Sequence, residues 1–276
     1  MKIEIPIRPF WYSDIWIFPK LITIITTLDK QGRVNAAPYS HIMQYDVMHK
    51  NPRMYLGFRL TSHTYENIAA TGEFVINCPP ADYLEDLMET AVFHDEGVCE
   101  LDNTRFTQIP SLKVKPPSLE ECGQIMECTV DQIYELEHPR QGHVIAKIEA
   151  IVVDEGHEKM SRAERIKALN MPIGMGDERR TDYFYTFADR LVMHKLEDPP
   201  SAVAMGEKIP TTMEWDHDAL EAIKPIPPGV RKMIIPQVED IAKRASAKRV
   251  TNEHYLQMMK ESDMDEAILE RFRSGG

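Results

Sequence analysis

Ten consecutive residues, Arg59-Leu60-Thr61-Ser62-His63-Thr64-Tyr65-Glu66-Asn67-Ile68, combine side chains suited to holding an anion. A guanidinium comes first, then three hydroxyls around an imidazole, then the helical spacing that begins at Ile68 and Ala69. A helix N-terminus offers unpaired N–H groups and a partial positive charge, so it favours an anion. Hydroxyl donors and a guanidinium beside it suit a phosphate in particular. Ser62 is equally a residue type that caps helices, and a cap and an anion site can coexist. His63 could donate a hydrogen bond to a phosphate or act as a proton source. No nucleophile–base constellation stands out elsewhere. His94-Asp95 and His157-Glu158 are adjacent pairs whose side chains need not meet, and both read as solvated loops.

The elements that must position this segment surround it. Residues 21–28 (LITIITTL) are β-branched throughout and read as a strand. Asp29-Lys30-Gln31-Gly32 turns the chain, and residues 33–47 return antiparallel, with Pro38 implying an edge, bulge or break. Residues 53–59 form a third strand, and 74–78 a fourth, beyond a short helix over 65–71 closed by Gly72. Residues 81–93 show helical spacing, and 102–120 read as an irregular connection. Residues 124–136 and 143–154 alternate as strands, 159–169 as a helix, and 183–187 with 191–196 as a last strand pair. Short strands with hairpin turns argue a mainly β, antiparallel barrel with added helices rather than a doubly wound α/β fold. No G-x-G-x-x-G follows the first strand and no G-x-x-x-x-G-K-[ST] occurs, so dinucleotide and P-loop folds lose their main support.

The composition shifts at 198–210 to small, polar and proline-containing residues, a linker separating a domain over 1–200 from a small all-α domain over 211–276. In that second part Val230, Ile234, Val238 and Ile241 share one helix face. Thr251 opens a further helix, with His254 where a capping box needs glutamate or glutamine. The aromatic start (Phe10, Trp11, Tyr12, Trp16, Phe18) is too apolar to stand free and is expected to pack on the body or on a partner subunit.

A formal net charge of −12 repels phosphate backbones, which argues against a nucleic-acid partner. No apolar run reaches the roughly 20 residues that span a bilayer, and Met1–Pro6 lacks a signal-peptide core, so a cytoplasmic protein without a membrane association is expected. Four scattered cysteines without a C-x-x-C pair suggest neither a disulfide scaffold nor structural zinc.

The first 200 residues resemble the flavin reductase-like family, whose fold is an FMN-binding split β-barrel usually working as a homodimer. The motifs that carry the resemblance are Pro19-Lys20-Leu21-Ile22-Thr23-Ile24-Ile25-Thr26-Thr27 with its Gly32-Arg33-Val34-Asn35-Ala36-Ala37-Pro38-Tyr39-Ser40 return, then Asn51-Pro52-Arg53-Met54. Thr64-x-x-Asn67-Ile68 leading to Thr71-Gly72-Glu73-Phe74-Val75-Ile76-Asn77 follows, and Glu127-Cys128-Thr129-Val130 with Gly142-His143-Val144-Ile145 completes the series. The resemblance implies FMN as cofactor and a homodimer with FMN near its interface. It implies that Asn35, Ala36, Ala37, Pro38, Tyr39, Ser40 and His41 edge the isoalloxazine, and that Arg59, Ser62, His63, Thr64 and Asn67 form the phosphate end. For Asn35 and Ser40 the alternative is a pair of satisfied strand-end polar groups, and for Tyr39 it is packing. Relatives often carry an aromatic near Ile42-Met43, which this chain lacks.

Flavin chemistry needs position and electrostatics more than an acid or base, and NAD(P)H would be the hydride donor. Thr181–Tyr185 falls where relatives approach the nicotinamide, and Arg179 and Arg180 before it could hold a pyrophosphate or form a charged turn. Residues 215–251 resemble the small helical domain ending a subunit of light-independent protochlorophyllide reductase, which implies a module that docks a redox partner or clamps a dimer. The expected function is an NAD(P)H-dependent flavin reductase passing electrons to free flavin or a small organic acceptor, with His63 the one catalytic candidate. The alternatives are a flavoredoxin-like electron carrier and a flavin-less barrel scaffold.

Overall fold

The run at residues 23–28 is β-branched at nearly every position because the strand it forms has no solvent face. In the computed structural model, which describes residues 2–6, 17–47, 52–92, 94, 97–138, 140–179, 182–193, 209–226 and 228–262, Thr23 to Thr27 are all buried. Ile25 enters one core cluster and Ile24 another on the opposite face of the sheet. A strand covered on both faces loses the apolar–polar alternation of a half-exposed one.

The chain divides into two compact units, the first ending at Val192 and the second running from Met193. In the first, β1 (Lys20–Leu21), β2 (Thr23–Leu28), β3 (Val34–Tyr39), β4 (Ile42–Asp46) and β5 (Arg53–Arg59) precede α1 (His63–Thr71) and β6 (Glu73–Cys78). Then come α2 (Leu84–Glu89), β7 (Gln108–Ile109), β8 (Ser118–Leu119), β9 (Gln124–Leu136), β10 (Gln141–Val153), α3 (Arg162–Leu169), β11 (Ile173–Arg179) and β12 (Asp182–Thr186). Seven strands form an antiparallel sheet in the order β3-β2-β6-β9-β10-β5-β4. β3 and β4 are separated only by Ser40 and His41 yet stand at opposite ends of that order, so the sheet curls round and remains open between them. This is a split barrel. β1, β11 and β12 make a second, three-stranded sheet.

Four expectations change. Residues 33–47 are two strands because Pro38 and the Ser40-His41 corner end the first, and β4 then pairs with β5 rather than with β2. The helix over 81–93 is a 3₁₀ turn followed by α2, which stops at Glu89. The glycine-bearing stretch at 174–180 is not a turn: Ile173–Arg179 is a strand between β1 and β12, with register shifts near Gly174 and Gly176. Residues 191–193 form no strand, and the rest of that expected strand lies outside the described residues, as do Arg180 and the aromatic residues Phe10, Trp11, Tyr12 and Trp16.

Inside the barrel, Leu56, Phe58, Tyr65, Ile68, Phe74, Ile76 and Val144 form a core that seats α1. One contact there leaves no room for a side chain. A Cβ on Gly142 of β10 would stand 2.2 Å from the Tyr65 ring, so only glycine lets the first turn of α1 lie against that strand. The Tyr65 hydroxyl then donates to Glu135 Oε1 of β9 at 2.6 Å. At its other end α1 closes on Gly72 (φ 74°), whose N–H donates to Ile68 O.

The second unit contains β13 (Glu214–Trp215), α4 (His217–Ile223), α5 (Pro228–Arg244), β14 (Arg249–Val250) and α6 (Asn252–Glu261). β13 and β14 pair in parallel, so the unit is not purely helical. Trp215, Ile234, Val238, Ile241, Tyr255 and Met258 form its core, and the buried Glu239 carboxylate accepts from Thr212 N, Met213 N and Trp215 Nε1. The capping box at Thr251 is complete after all: His254 Nδ1 accepts from Thr251 N at 3.0 Å, the bond a glutamate would make. Among the described residues no helix is long and apolar enough to cross a membrane.

Candidate functional site

A cleft of about 390 Å³ opens where the end of β3, the β3–β4 corner, the end of β5 and the start of α1 meet. That volume lies at the lower end of small-ligand pockets, roughly 300–1,000 Å³. Asn35, Ala37, Pro38, Tyr39, Ser40, His41, Arg59, Ser62, His63 and Thr64 line it. The order of strands explains the convergence: β3 and β4 border the open seam, and β5 delivers Arg59 beside β4.

Ser62 is the N-cap of α1, accepting from Tyr65 N at 3.2 Å. Its hydroxyl donates to Arg59 O at 2.9 Å and accepts from the Tyr39 hydroxyl at 3.2 Å. One donor and two acceptor positions are thereby filled, so Ser62 shapes the turn and has no proton left for a ligand. The Tyr39 ring rests tilted on Phe58, with centroids 4.8 Å apart, and burial pushes its phenol above the usual tyrosine range, keeping it a neutral donor. Packing is therefore the role seen for Tyr39. Asn35 is buried at the cleft floor, where one orientation of its amide satisfies every neighbour: nitrogen toward Glu100 Oε1 (3.2 Å), oxygen accepting from Ala36 N and the Thr64 hydroxyl. Asn35 is thus a satisfied strand residue as well as a lining one.

Two expected residues do not reach the cleft. Ala36 points into the core shared with Ile24 and Val75, as strand alternation requires once Asn35 and Ala37 face the cleft, and its N–H donates to Glu100 Oε2 at 2.9 Å. Asn67 lies farther along α1, and its amide donates to Thr27 Oγ1 at 3.0 Å, pinning the helix to β2. It lines a neighbouring hollow with Glu66 and Ala70 instead.

Other lining residues were not visible in the sequence. Thr90, Ala91, Val92 and His94 come from the turn after α2, and Glu100 from the 3₁₀ segment Glu100–Asn103. His94 corrects the solvated-loop reading, since its Nε2 is buried without a hydrogen-bond partner. The only local signal is that helical spacing lapses after Met88. Lys20 Nζ stands 3.5 Å from His41 Nε2 and Arg59 lies on the same rim. Burial, then the Lys20 and Arg59 charges, hold His41 below the ordinary histidine range, and burial lowers Lys20.

These features fit an elongated, partly apolar molecule ending in an anion. The rim is cationic, the first turn of α1 presents its N–H groups, and a buried unpartnered imidazole nitrogen waits on the far wall.

Comparison with known proteins agrees. Residues 16–170 match the family model described as flavin reductase like domain. An uncharacterised protein of Methanothermobacter thermautotrophicus is 31% identical over 208 residues, covering 74% of this chain and 94% of that protein. Among solved structures, nitrilotriacetate monooxygenase component B from Bacillus cereus superposes with a TM-score of 0.58 at 18% identity, over 71% of this chain and 100% of its own. Flavoredoxin of Desulfovibrio vulgaris (Miyazaki F) gives 0.56 at 19% identity, over 70% and 97%. At those identities the structural likeness speaks for the fold, and the family match covers more than half of the chain. The chain therefore belongs to the flavin reductase-like family, with a split-barrel flavoprotein oxidoreductase domain in its first unit.

Proposed function

We propose that the protein binds FMN in this cleft, accepts hydride from NADH or NADPH, and passes electrons to free flavin or a small organic acceptor. The observation that carries this reading is the rim of Lys20, His41 and Arg59 at the N-terminus of α1, a cationic patch on a chain whose formal net charge is −12. A phosphate monoester is the anion that such a rim selects. Arg59, His63 and the first-turn amides of α1 would hold the FMN phosphate, with Ser62 fixing those amides. Asn35, Ala37, Pro38, Ser40 and His41 would edge the isoalloxazine, and Thr64 braces Asn35. FMN supplies the hydride and electron-transfer chemistry when bound. The chain contributes orientation, exclusion of water and, at the exposed His63 ring, a group able to hold a proton.

A homodimer with the cofactor near its interface completes this reading. Met43 (57% exposed) and Tyr134 (54% exposed) stand on one face of the sheet by register, through Tyr55 and His143, and offer apolar area for a second copy. A second reading, an electron carrier with little nicotinamide turnover, is favoured by the flavoredoxin likeness. That protein is matched over 97% of its length with 70% of this chain, which leaves the helical unit as an added part free to dock a redox partner.

The visible spectrum of the purified protein, before and after adding NADH, NADPH or dithionite, tests both. Flavin bands that bleach rapidly with either nicotinamide support the reductase. Firmly retained flavin with very slow nicotinamide oxidation supports the carrier. A colourless protein that gains no flavin spectrum on titration with FMN would sink both readings.

A further inference from the structure

The helical unit contains a charge that its own fold leaves unanswered. Arg231 lies in the first turn of α5 and is only 5% exposed. Its Nε is buried without a hydrogen-bond partner, and no carboxylate among the described residues stands within ion-pair distance of its guanidinium. The unit's one buried acid among the described residues, Glu239, is engaged by Thr212, Met213 and Trp215. Arginine cannot relieve this by losing its proton, as a buried lysine can. A desolvated cation without a counter-charge is among the least tolerable groups in a folded core.

Its position suggests what would answer it. α5 has 17 residues and begins with Pro228, whose missing N–H costs nothing at a first helical position. The amides that follow it, of Gly229, Val230 and Arg231, have no partner within the helix. Helical side chains lean back toward the N-terminus, which carries the Arg231 fork toward those amides. Beside Gly229 the space is open, since a Cβ there would meet nothing within 4 Å. A guanidinium fork, a helix N-terminus and free volume together match a planar or tetrahedral oxyanion.

We propose that Arg231 and the N-terminus of α5 form an oxyanion-binding site within the helical unit, one that takes the phosphate or carboxylate group of a ligand. The site is tested on the full ¹⁵N-labelled chain by titrating inorganic phosphate, and separately acetate, against chloride at constant ionic strength. The Arg231 Nε–H resonance and the Gly229 and Val230 amides should move together along one saturating curve. Saturation by phosphate alone identifies a tetrahedral dianion as the group recognised; saturation by acetate as well identifies a carboxylate-type site. Arg231→Lys should weaken the binding at least about tenfold, because an ammonium keeps the charge without the fork. Arg231→Met should abolish saturation. Silence of these three resonances toward both anions in the unaltered chain overturns the proposal, whatever the variants do. So does unchanged saturation in Arg231→Met.

Discussion

Arg59 and Ser62 sit three residues apart and do different work, and separate substitutions expose the difference. Arg59→Ala removes the charge on the rim while leaving the cap intact, so FMN affinity should fall by about tenfold or more, as expected for a lost charge-assisted contact. Fluorescence quenching of FMN measures it, and an unchanged dissociation constant would take Arg59 out of the site. Ser62→Ala should instead lower stability by about 1 kcal/mol, the usual cost of a lost N-cap. His41 gives a pH signature. Its pKa is depressed by burial and by Lys20 and Arg59, so the unfolded chain takes up the proton more readily than the folded one. The stability it contributes is complete above the unfolded value near 6.5 and is lost as pH falls below it toward the folded pKa. An NMR titration should show the His41 ring still neutral just below pH 6.5, and replacing His41 with Gln should flatten that part of the stability profile.

At the scale of elements, α1 is held by fittings that read poorly from sequence. Gly142→Ala forces a methyl into the Tyr65 ring and should cost about 1–3 kcal/mol, the usual range for overpacking. Thermal unfolding would register it. Tyr65→Phe, which loses only the bond to Glu135, should cost about 1 kcal/mol. Equal stability of the Gly142→Ala variant and the parent would mean that the helix start adapts freely. Strand existence was legible where composition is decisive: the β-branched β2, the alternating β9 and β10, and the Gly72 helix end all announce themselves locally. The anion-binding segment was legible for the same reason, since cap and helix start are short-range features. What escaped depends on distant partners. Nothing near Ile173–Arg179 reveals that β1 and β12 flank it, and nothing near His94 reveals the cleft it faces. The inward turn of Ala36 follows from alternation alone, once the cleft-facing side of β3 is known.

For the whole molecule, two core clusters in the first unit and one in the second predict separable folding. A chain ending at Pro210 should keep the barrel, its cooperative unfolding and its yellow colour. Calorimetry of the full chain should resolve two transitions. Aggregation or flavin loss in the shortened chain would tie the helical unit to the barrel core or to the dimer. β2 carries a further consequence. Because Thr23–Leu28 is buried on both faces and both edges, its β-branched hexamer is safe only once surrounded. During synthesis the hairpin with β3 closes one edge at once, but β6 does not emerge until residue 73, and β9 later still. Until then the segment has the makings of an amyloid zipper: high β-propensity, no charge, no proline or glycine. Slower translation would lengthen that interval, so heterologous expression of this chain should be sensitive to chaperone supply.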